Sequence, residues 1–543
     1  MIHISTILFM MIYDENTMSA EYEEPGIGCI GAYLRQKGYK VVFMASYEKQ
    51  INYDKIKKLN PQIIGIPVYK ESKQNVFRFC KAIKSICKDI KICIGGSYAT
   101  SDGEDALSEC QDIDYAIKGE GEIAFHELVR ALQTDTTLET VGNLVFRQNN
   151  RIKANPRQPL IENLNFLPFQ ARDILVQNRL KIAHISASRG CKSRCTFCTS
   201  QLMWKKWRGR SILQVVDEIE SIVKRYNIRI FNFIDNSFED DDQTGSDRLN
   251  IFCDEIIKRS LKISYFANFR SEFHKKASAL LMKKLKISGL SGACVGFESG
   301  NSEDLRLYGK MATLEDNEKL IMLFNQHKII IDPGFINFNP YSTFEKLQKN
   351  IIFLRKHNFA SKLYNIVNSF QMYKGTRMYH RVKNDGLIIR NRKDPYAYHF
   401  VDNRIEKLYH YVINFRDNIN SKTNYIFNEL SYYAGVFKIT LNYLENMFLS
   451  LDNNVAVEIV INSLYQCQNI LNHISEQTCL WFMKLMNLAE KEWCFTEADR
   501  ISEQYMSMDM LNESLNNLKW LKFYIHKNLI KQNTDITQFL DFF

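Results

Sequence analysis

Strand-like apolar runs alternate with helical stretches twice along this chain, and that alternation points to parallel α/β sheets. The first block covers residues 1–155. Its apolar runs are Ile4–Met11, Lys40–Met44, Ile63–Val68, Ile90–Ile94 and Tyr115–Ile117, with helical stretches at Ile27–Lys37, Lys70–Lys88 and Glu122–Leu132. Such a pattern predicts a doubly wound sheet, which binds ligands outside the carboxyl ends of its strands. Gly95-Gly96-Ser97 and Gly119-Glu120-Gly121-Glu122 each follow one of these runs, and glycine there lets backbone approach a ligand closely. Val141–Phe146 and Arg151–Lys153 read as a hairpin around Gln148-Asn149-Asn150. Residues 156–180 read as a linker.

The second block, residues 181–390, opens on Ile182–Ser186. An amphipathic helix at Ile212–Tyr226 follows, with Val215, Ile219, Ile222 and Val223 at helical spacing. Runs at Ile228–Ile234, Ile263–Phe266, Gly292–Gly296, Ile329–Asn337 and Tyr364–Ser369 bring the strands of this block to six. Residues 391–543 are poor in Gly and Pro. Leu430, Tyr433, Phe437, Leu441 and Leu444 recur three or four apart, as do Trp481, Leu485 and Leu488, and both sets predict packed helices.

Chemistry enters just after Ile182–Ser186, where Cys191, Cys195 and Cys198 form a CxxxCxxC run. Three thiolates can bind three irons of a 4Fe-4S cluster and leave the fourth iron open to a small molecule. The alternatives are a zinc site or buried thiols, but zinc usually takes four ligands and no fourth Cys or His lies on the loop. The chain's thirteen cysteines show no disulfide framework, which fits reduced thiols in a cytoplasmic setting. Ile2–Tyr13 lacks a basic flank and is followed by Asp14 and Glu15, so it reads as a buried strand rather than a signal peptide. No apolar run has transmembrane length, and no membrane partner is expected. The net charge of +10 comes without a dense Lys/Arg run, so nucleic acid is not expected either.

With Phe197 before its last cysteine, the loop resembles that of the radical S-adenosylmethionine (SAM) enzymes. The order of Pro25-Gly26-Ile27-Gly28, Ala32-Tyr33-Leu34-Arg35, Ile64-Gly65-Ile66, Gly95-Gly96-Ser97 and Gly119-Glu120-Gly121-Glu122 is similar to the cobalamin-binding domain that precedes the radical SAM domain in one large subfamily. The resemblance covers residues 20–390 and implies a Rossmann-like cobalamin-binding domain, a partial (β/α)6 barrel and, outside it, a helical C-terminal domain. It implies cobalamin contacts from Gly26, Tyr69, Gly95, Gly96, Ser97, Gly119, Glu120 and Gly121, and a cluster on Cys191, Cys195 and Cys198. SAM contacts fall to Phe197, Asp235, Arg270 and Glu298. In that assignment Asp235 offers a carboxylate or carbonyl to the SAM amino group, and Arg270 meets its carboxylate. Glu298, in Gly296-Phe297-Glu298-Ser299-Gly300, contacts ribose or amino groups. The plainer readings are a turn-capping Asp235, an Arg270–Glu272 surface pair and a structural Glu298.

Two departures stand out. Neither His3 nor His126 fits the Asp-x-His-x-x-Gly motif that places a histidine below cobalt, so no histidine ligand is expected. Asn337-Phe338-Asn339-Pro340-Tyr341-Ser342-Thr343 replaces the glycine turn that relatives carry after the fifth strand. The function implied is a cobalamin-dependent radical SAM methyltransferase. It uses SAM twice, once to methylate cobalamin and once to make the 5′-deoxyadenosyl radical. The acceptor is an unactivated carbon, or phosphorus, of a small molecule or peptide, and an external electron donor such as flavodoxin or ferredoxin is implied. The alternative keeps the cofactors without methyl transfer, giving oxidation, rearrangement or cyclisation. An RNA methylthiotransferase is disfavoured because Cys29, Cys80, Cys87, Cys93 and Cys110 form no second cluster loop. An iron–sulfur sensor would leave Glu298 without a purpose.

Overall fold

The computed structural model describes residues 6–13, 22–240, 247–389, 397–418, 420–449 and 453–530. His3, the start of the Ile4–Met11 run, Asp14 and Glu15 lie outside the described residues. The chain divides into two compact units. The first takes residues 1–192, 198–248 and 373–376, and the second takes 193–197, 249–372 and 377–543.

In the first unit seven strands form one sheet: β1 (Thr6–Tyr13), β2 (Lys40–Tyr47), β3 (Ile63–Pro67), β4 (Lys91–Gly95), β5 (Tyr115–Ile117), β6 (Leu144–Gln148) and β7 (Arg151–Ala154). Their order is β2-β1-β3-β4-β5-β6-β7. The pairings are parallel as far as β5, and the hairpin β6–β7 adds antiparallel strands at the edge. All eight residues of β1 are buried, which is why it reads as one unbroken apolar run. Phe9 meets Phe43 of β2 and Phe125, with ring centroids 5.7 and 5.1 Å apart. Helices α1 (Pro25–Gln36), α2 (Tyr53–Leu59), α3 (Lys73–Ile86), α4 (Gly96–Glu109) and α5 (Glu122–Thr134) complete the winding. The sequence reading did not include α2 or α4. The Gly95-Gly96-Ser97 segment, expected as a turn, is the start of α4.

Further along the first unit, β8 (Ile182–Ile185) pairs in parallel with β11 (Ile230–Phe233), and two-residue strands β9 (Ser188–Arg189) and β10 (Arg208–Gly209) pair antiparallel. The helix Ile212–Tyr226 has the expected ends. In the second unit β12 (Ser264–Phe269), β13 (Leu290–Glu298) and β14 (Ile330–Phe335) pair in parallel in that order. Thr313 and Asp316 form a capping box that starts the helix leading into β14.

The sixth strand expected at Tyr364–Ser369 is not one. Tyr364–Val367 is a short helix, and only Ser369 makes an isolated bridge, to Phe338. Two asparagines decide this. The Asn365 amide donates to Phe359 O (2.7 Å), a local bond that competes with a ladder, and the Asn368 amide donates to Phe335 O at the end of β14 (2.6 Å). The tail is helical as expected, with Leu430, Tyr433, Phe437, Leu441, Leu444, Trp481 and Leu485 all buried. Trp481 Nε1 donates to Ser502 Oγ at 2.9 Å. No helix among the described residues is long and apolar enough to cross a membrane.

Candidate functional site

The carboxyl ends of β3, β4 and β5 open into one cleft of ≈ 1230 Å³, a volume that includes its part open to solvent. Gly26, Tyr69, Gly95, Gly96, Ser97, Gly119, Glu120 and Gly121 all line it, so the eight positions assigned to a cofactor from the sequence come together. Cys29, Arg189, Trp204 and Asn236 line it too, and were not expected there. A Cβ on Gly95 would meet nothing within 4 Å, so backbone faces open space there. Gly96 has φ +90°, and a Cβ would stand 2.9 Å from Val68 O, which reserves the position for glycine.

Tyr69 donates its hydroxyl to Glu24 Oε2 at 2.6 Å. Burial pushes the Glu24 carboxyl up, and burial with the nearby Glu24 charge pushes the Tyr69 phenol up. No histidine among the described residues lines the cleft. His126 packs edge-on against Tyr33 and Tyr39 instead, and burial lowers its pKa.

Glu120 reaches the cleft, but its carboxylate is engaged. Oε1 takes Arg189 Nη1 at 2.8 Å, and Oε2 takes Ile161 N at 2.8 Å and Arg208 Nη1 at 3.1 Å. Glu122 Oε1 takes the other Arg189 nitrogen at 2.5 Å. Burial pushes the Glu120 carboxyl up, but Arg189 and the bonds from Arg208 and Ile161 outweigh it and hold it below its ordinary value. The motif after β5 therefore grips the segment just before Cys191. Gly190, at φ +90° with Lys206 O 2.3 Å from a hypothetical Cβ, closes the turn into the loop.

Asp235, just past β11, is buried. Its Oδ2 accepts from Ala187 N at 3.0 Å and its Oδ1 from Ser188 Oγ. Burial raises its pKa, and these two bonds oppose the rise. Asp240 Oδ2 accepts from Lys192 N at 2.8 Å. Both carboxylates thus hold residues 187–192, the approach to the cysteines.

Cys191 and Cys198 fall in the first unit, where Cys198 Sγ accepts from Ser200 N at 3.4 Å. Cys195 falls in the second, on a stretch pinned by Thr196 N to Tyr308 O (2.8 Å) and Met378 N to Thr196 O (3.0 Å). Phe197 packs edge-on against Tyr308, with centroids 5.5 Å apart. Among the described residues no three His, Cys, Asp or Glu side chains gather around a single ion.

In the second unit β13 ends on a bulge between Gly296 and Glu298. Glu298 itself has φ +66°, a costly conformation for a non-glycine residue, and one that re-aims its side chain. Lys310 Nζ lies 3.5 Å from Glu298 Oε1 and donates to Gly296 O at 2.7 Å. Burial raises the Glu298 pKa and Lys310 opposes it. Burial likewise pushes the Cys195 thiol up, against the pull of Lys310. Arg270 and Glu272 follow β12, and both carboxylate oxygens of Glu272 are buried without accepting a hydrogen bond. Two sequence signals went unused: Lys310 follows the Gly296–Gly300 motif at a short spacing, and Glu272 entered only as the surface partner of Arg270. Arg189 gave no signal at all.

A family model described as the B12 binding domain matches residues 16–129. An uncharacterised methyltransferase of Pyrococcus horikoshii is 29% identical over 371 residues, 65% of this chain and 78% of that one. An anaerobic magnesium-protoporphyrin IX monomethyl ester cyclase of Rubrivivax gelatinosus is 26% identical, over 61% of this chain and 62% of that one. Among solved structures, the cobalamin-dependent S-adenosylmethionine radical enzyme OxsB, with aqua-cobalamin and S-adenosylmethionine bound, superposes with a TM-score of 0.68. It shares 21% identity over 95% of this chain and 84% of that one. The radical S-adenosylmethionine methyltransferase TsrM from Kitasatospora setae, with cobalamin and a 4Fe-4S cluster bound, gives a TM-score of 0.57. It shares 16% identity over 70% of this chain and 78% of that one. At such identities the two structures share the fold.

Proposed function

We propose that this chain, a member of the B12-binding-domain-containing radical SAM enzymes, is a cobalamin-dependent methyltransferase acting on an unactivated carbon or phosphorus of a small molecule or peptide. The observation that carries the reading is the cleft: its eight expected residues converge inside the stretch that the B12-binding model matches. Cobalamin supplies a methyl carrier there, and the 4Fe-4S cluster with SAM supplies a radical.

The chain's own residues bind, orient and shield. Gly95 and Gly96 offer bare backbone to the corrinoid, and the Tyr69–Glu24 pair presents a hydrogen-bonded polar wall. Cys191, Cys195 and Cys198 are assigned as the cluster's protein ligands, and Phe197, which packs against Tyr308, is assigned to SAM. Arg270 is assigned to the SAM carboxylate and Glu298 to its ribose or amino group. The Asp235 carboxylate holds the loop entry, which leaves its carbonyl for SAM. We assign residues 1–155 to the cobalamin domain, 156–180 to a linker, 181–390 to the radical domain and 391–543 to the helical domain. A cytoplasmic setting and a flavodoxin or ferredoxin donor complete the reading.

Anaerobic reconstitution with hydroxocobalamin, iron and sulfide tests this. Near-stoichiometric corrinoid should stay with the chain through gel filtration, and the cob(II)alamin spectrum should lack superhyperfine coupling from a protein histidine. A chain that retains no corrinoid would sink the reading.

A further inference from the structure

β12 ends at Phe269 and delivers Arg270, Ser271 and Glu272 at its carboxyl end, the end where α/β barrels place their ligands. Ser271 is fully buried, and its hydroxyl has no hydrogen-bond partner. Both Glu272 oxygens are buried and partnerless as well. An orphaned buried polar group is costly, and more so if charged. Among the described residues these three oxygens on consecutive residues find no partner, which marks a place for a ligand.

The neighbouring cation does not answer them. Lys310 is committed to Gly296 O at 2.7 Å and to Glu298 at 3.5 Å. Glu272, Glu298 and Cys195 all act on the Lys310 charge, so Glu272 lies within electrostatic reach of a cluster-loop cysteine. The missing partner is therefore a hydrogen-bond donor, within electrostatic reach of Lys310 and Cys195. Asp235, the sequence's choice for the SAM amino group, spends both carboxylate oxygens on Ala187 and Ser188.

Resting on the function proposed above, we infer that the Glu272 carboxylate, supported by the Ser271 hydroxyl, accepts hydrogen bonds from the amino group of SAM. The test is equilibrium binding to the anaerobically reconstituted holoenzyme, without turnover. S-adenosylhomocysteine is the second probe, because it keeps the amino group and lacks the sulfonium charge. In Glu272→Gln the dissociation constants of both probes should rise by about ten- to hundredfold, the size of a lost charge-assisted hydrogen bond. Glu272→Asp should fall between that variant and wild type. SAM should also perturb the reduced-cluster EPR signal less in the Gln variant.

Wild-type affinity for both probes in Glu272→Gln would overturn the inference. So would weakened SAM with unchanged S-adenosylhomocysteine, which would place the carboxylate on the sulfonium. If Glu272→Gln fails to assemble its cluster, Ser271→Ala decides: it should weaken both probes, and unchanged binding overturns the inference. Wild-type holoenzyme that binds no SAM would sink the functional reading itself, whereas equal binding by wild type and variant removes only the role of Glu272.

Discussion

Gly95 and Gly96 stand side by side on the cleft, yet a methyl group has different consequences at each. At Gly96 it meets Val68 O at 2.9 Å in a backbone with φ +90°, so Gly96→Ala should cost about 1–3 kcal/mol, read as a fall in thermal midpoint. At Gly95 it meets open space in an extended backbone, so Gly95→Ala should stay within about 0.5 kcal/mol of wild type. Gly95→Leu should then fold normally and lose corrinoid in gel filtration, because its side chain occupies the cofactor's space. Full corrinoid retention in Gly95→Leu would remove Gly95 from the site. Glu298 is the other residue whose backbone argues for function. Its φ of +66° is a costly backbone conformation for a glutamate, and its carboxylate lies 3.5 Å from Lys310 Nζ.

The motif that follows β5 does its work at the scale of elements. Glu120 and Glu122 hold Arg189 and, with Arg208, tie this loop to the segment that enters the cysteines. Removing one member of a buried ion network costs on the order of 3 kcal/mol, so Glu120→Gln should lower stability at pH 7 by about that much. The Glu120 pKa is depressed in the fold, so its contribution is complete above the ordinary carboxylate range, about pH 4.3. That contribution is lost as pH falls through the range and below. Unfolding of wild type and Glu120→Gln at pH 7 and in acid should show the gap narrowing, and a constant gap would deny the network its electrostatic role.

These pairings were not legible in the sequence, because Glu120 and Arg189 are 69 residues apart. The elements themselves were largely legible. β1, β3 and β5 are buried along their whole length and read as continuous apolar runs, and the helix Ile212–Tyr226 shows its period openly. α4 was hidden because its small residues carry a weak apolar pattern and kink at Asp102. Tyr364–Ser369 misled because a short apolar run suits helix and strand alike, and the asparagines within it tip the balance. At the site, glycines and cysteines announced themselves by spacing. The orphaned carboxylate of Glu272 could be seen only once burial was known.

At the scale of the molecule, the chain joins a B12-binding domain to a cysteine-loop α/β region and a helical tail. The tail packs on its own aromatic core, with Trp481 and Tyr411 both hydrogen-bonded to Ser502. The family resemblance that carries the chemistry ends before the tail, at residue 390. The central claim is that a methyl group leaves SAM and ends on the substrate. Mass spectrometry of an anaerobic reaction tests it most directly, with the reconstituted chain, a reductant, candidate substrates and methyl-deuterated SAM. The account predicts product bearing one deuterated methyl, with both S-adenosylhomocysteine and 5′-deoxyadenosine formed. An altered product without label, accompanied by 5′-deoxyadenosine, would contradict methyl transfer and leave oxidation, rearrangement or cyclisation in its place.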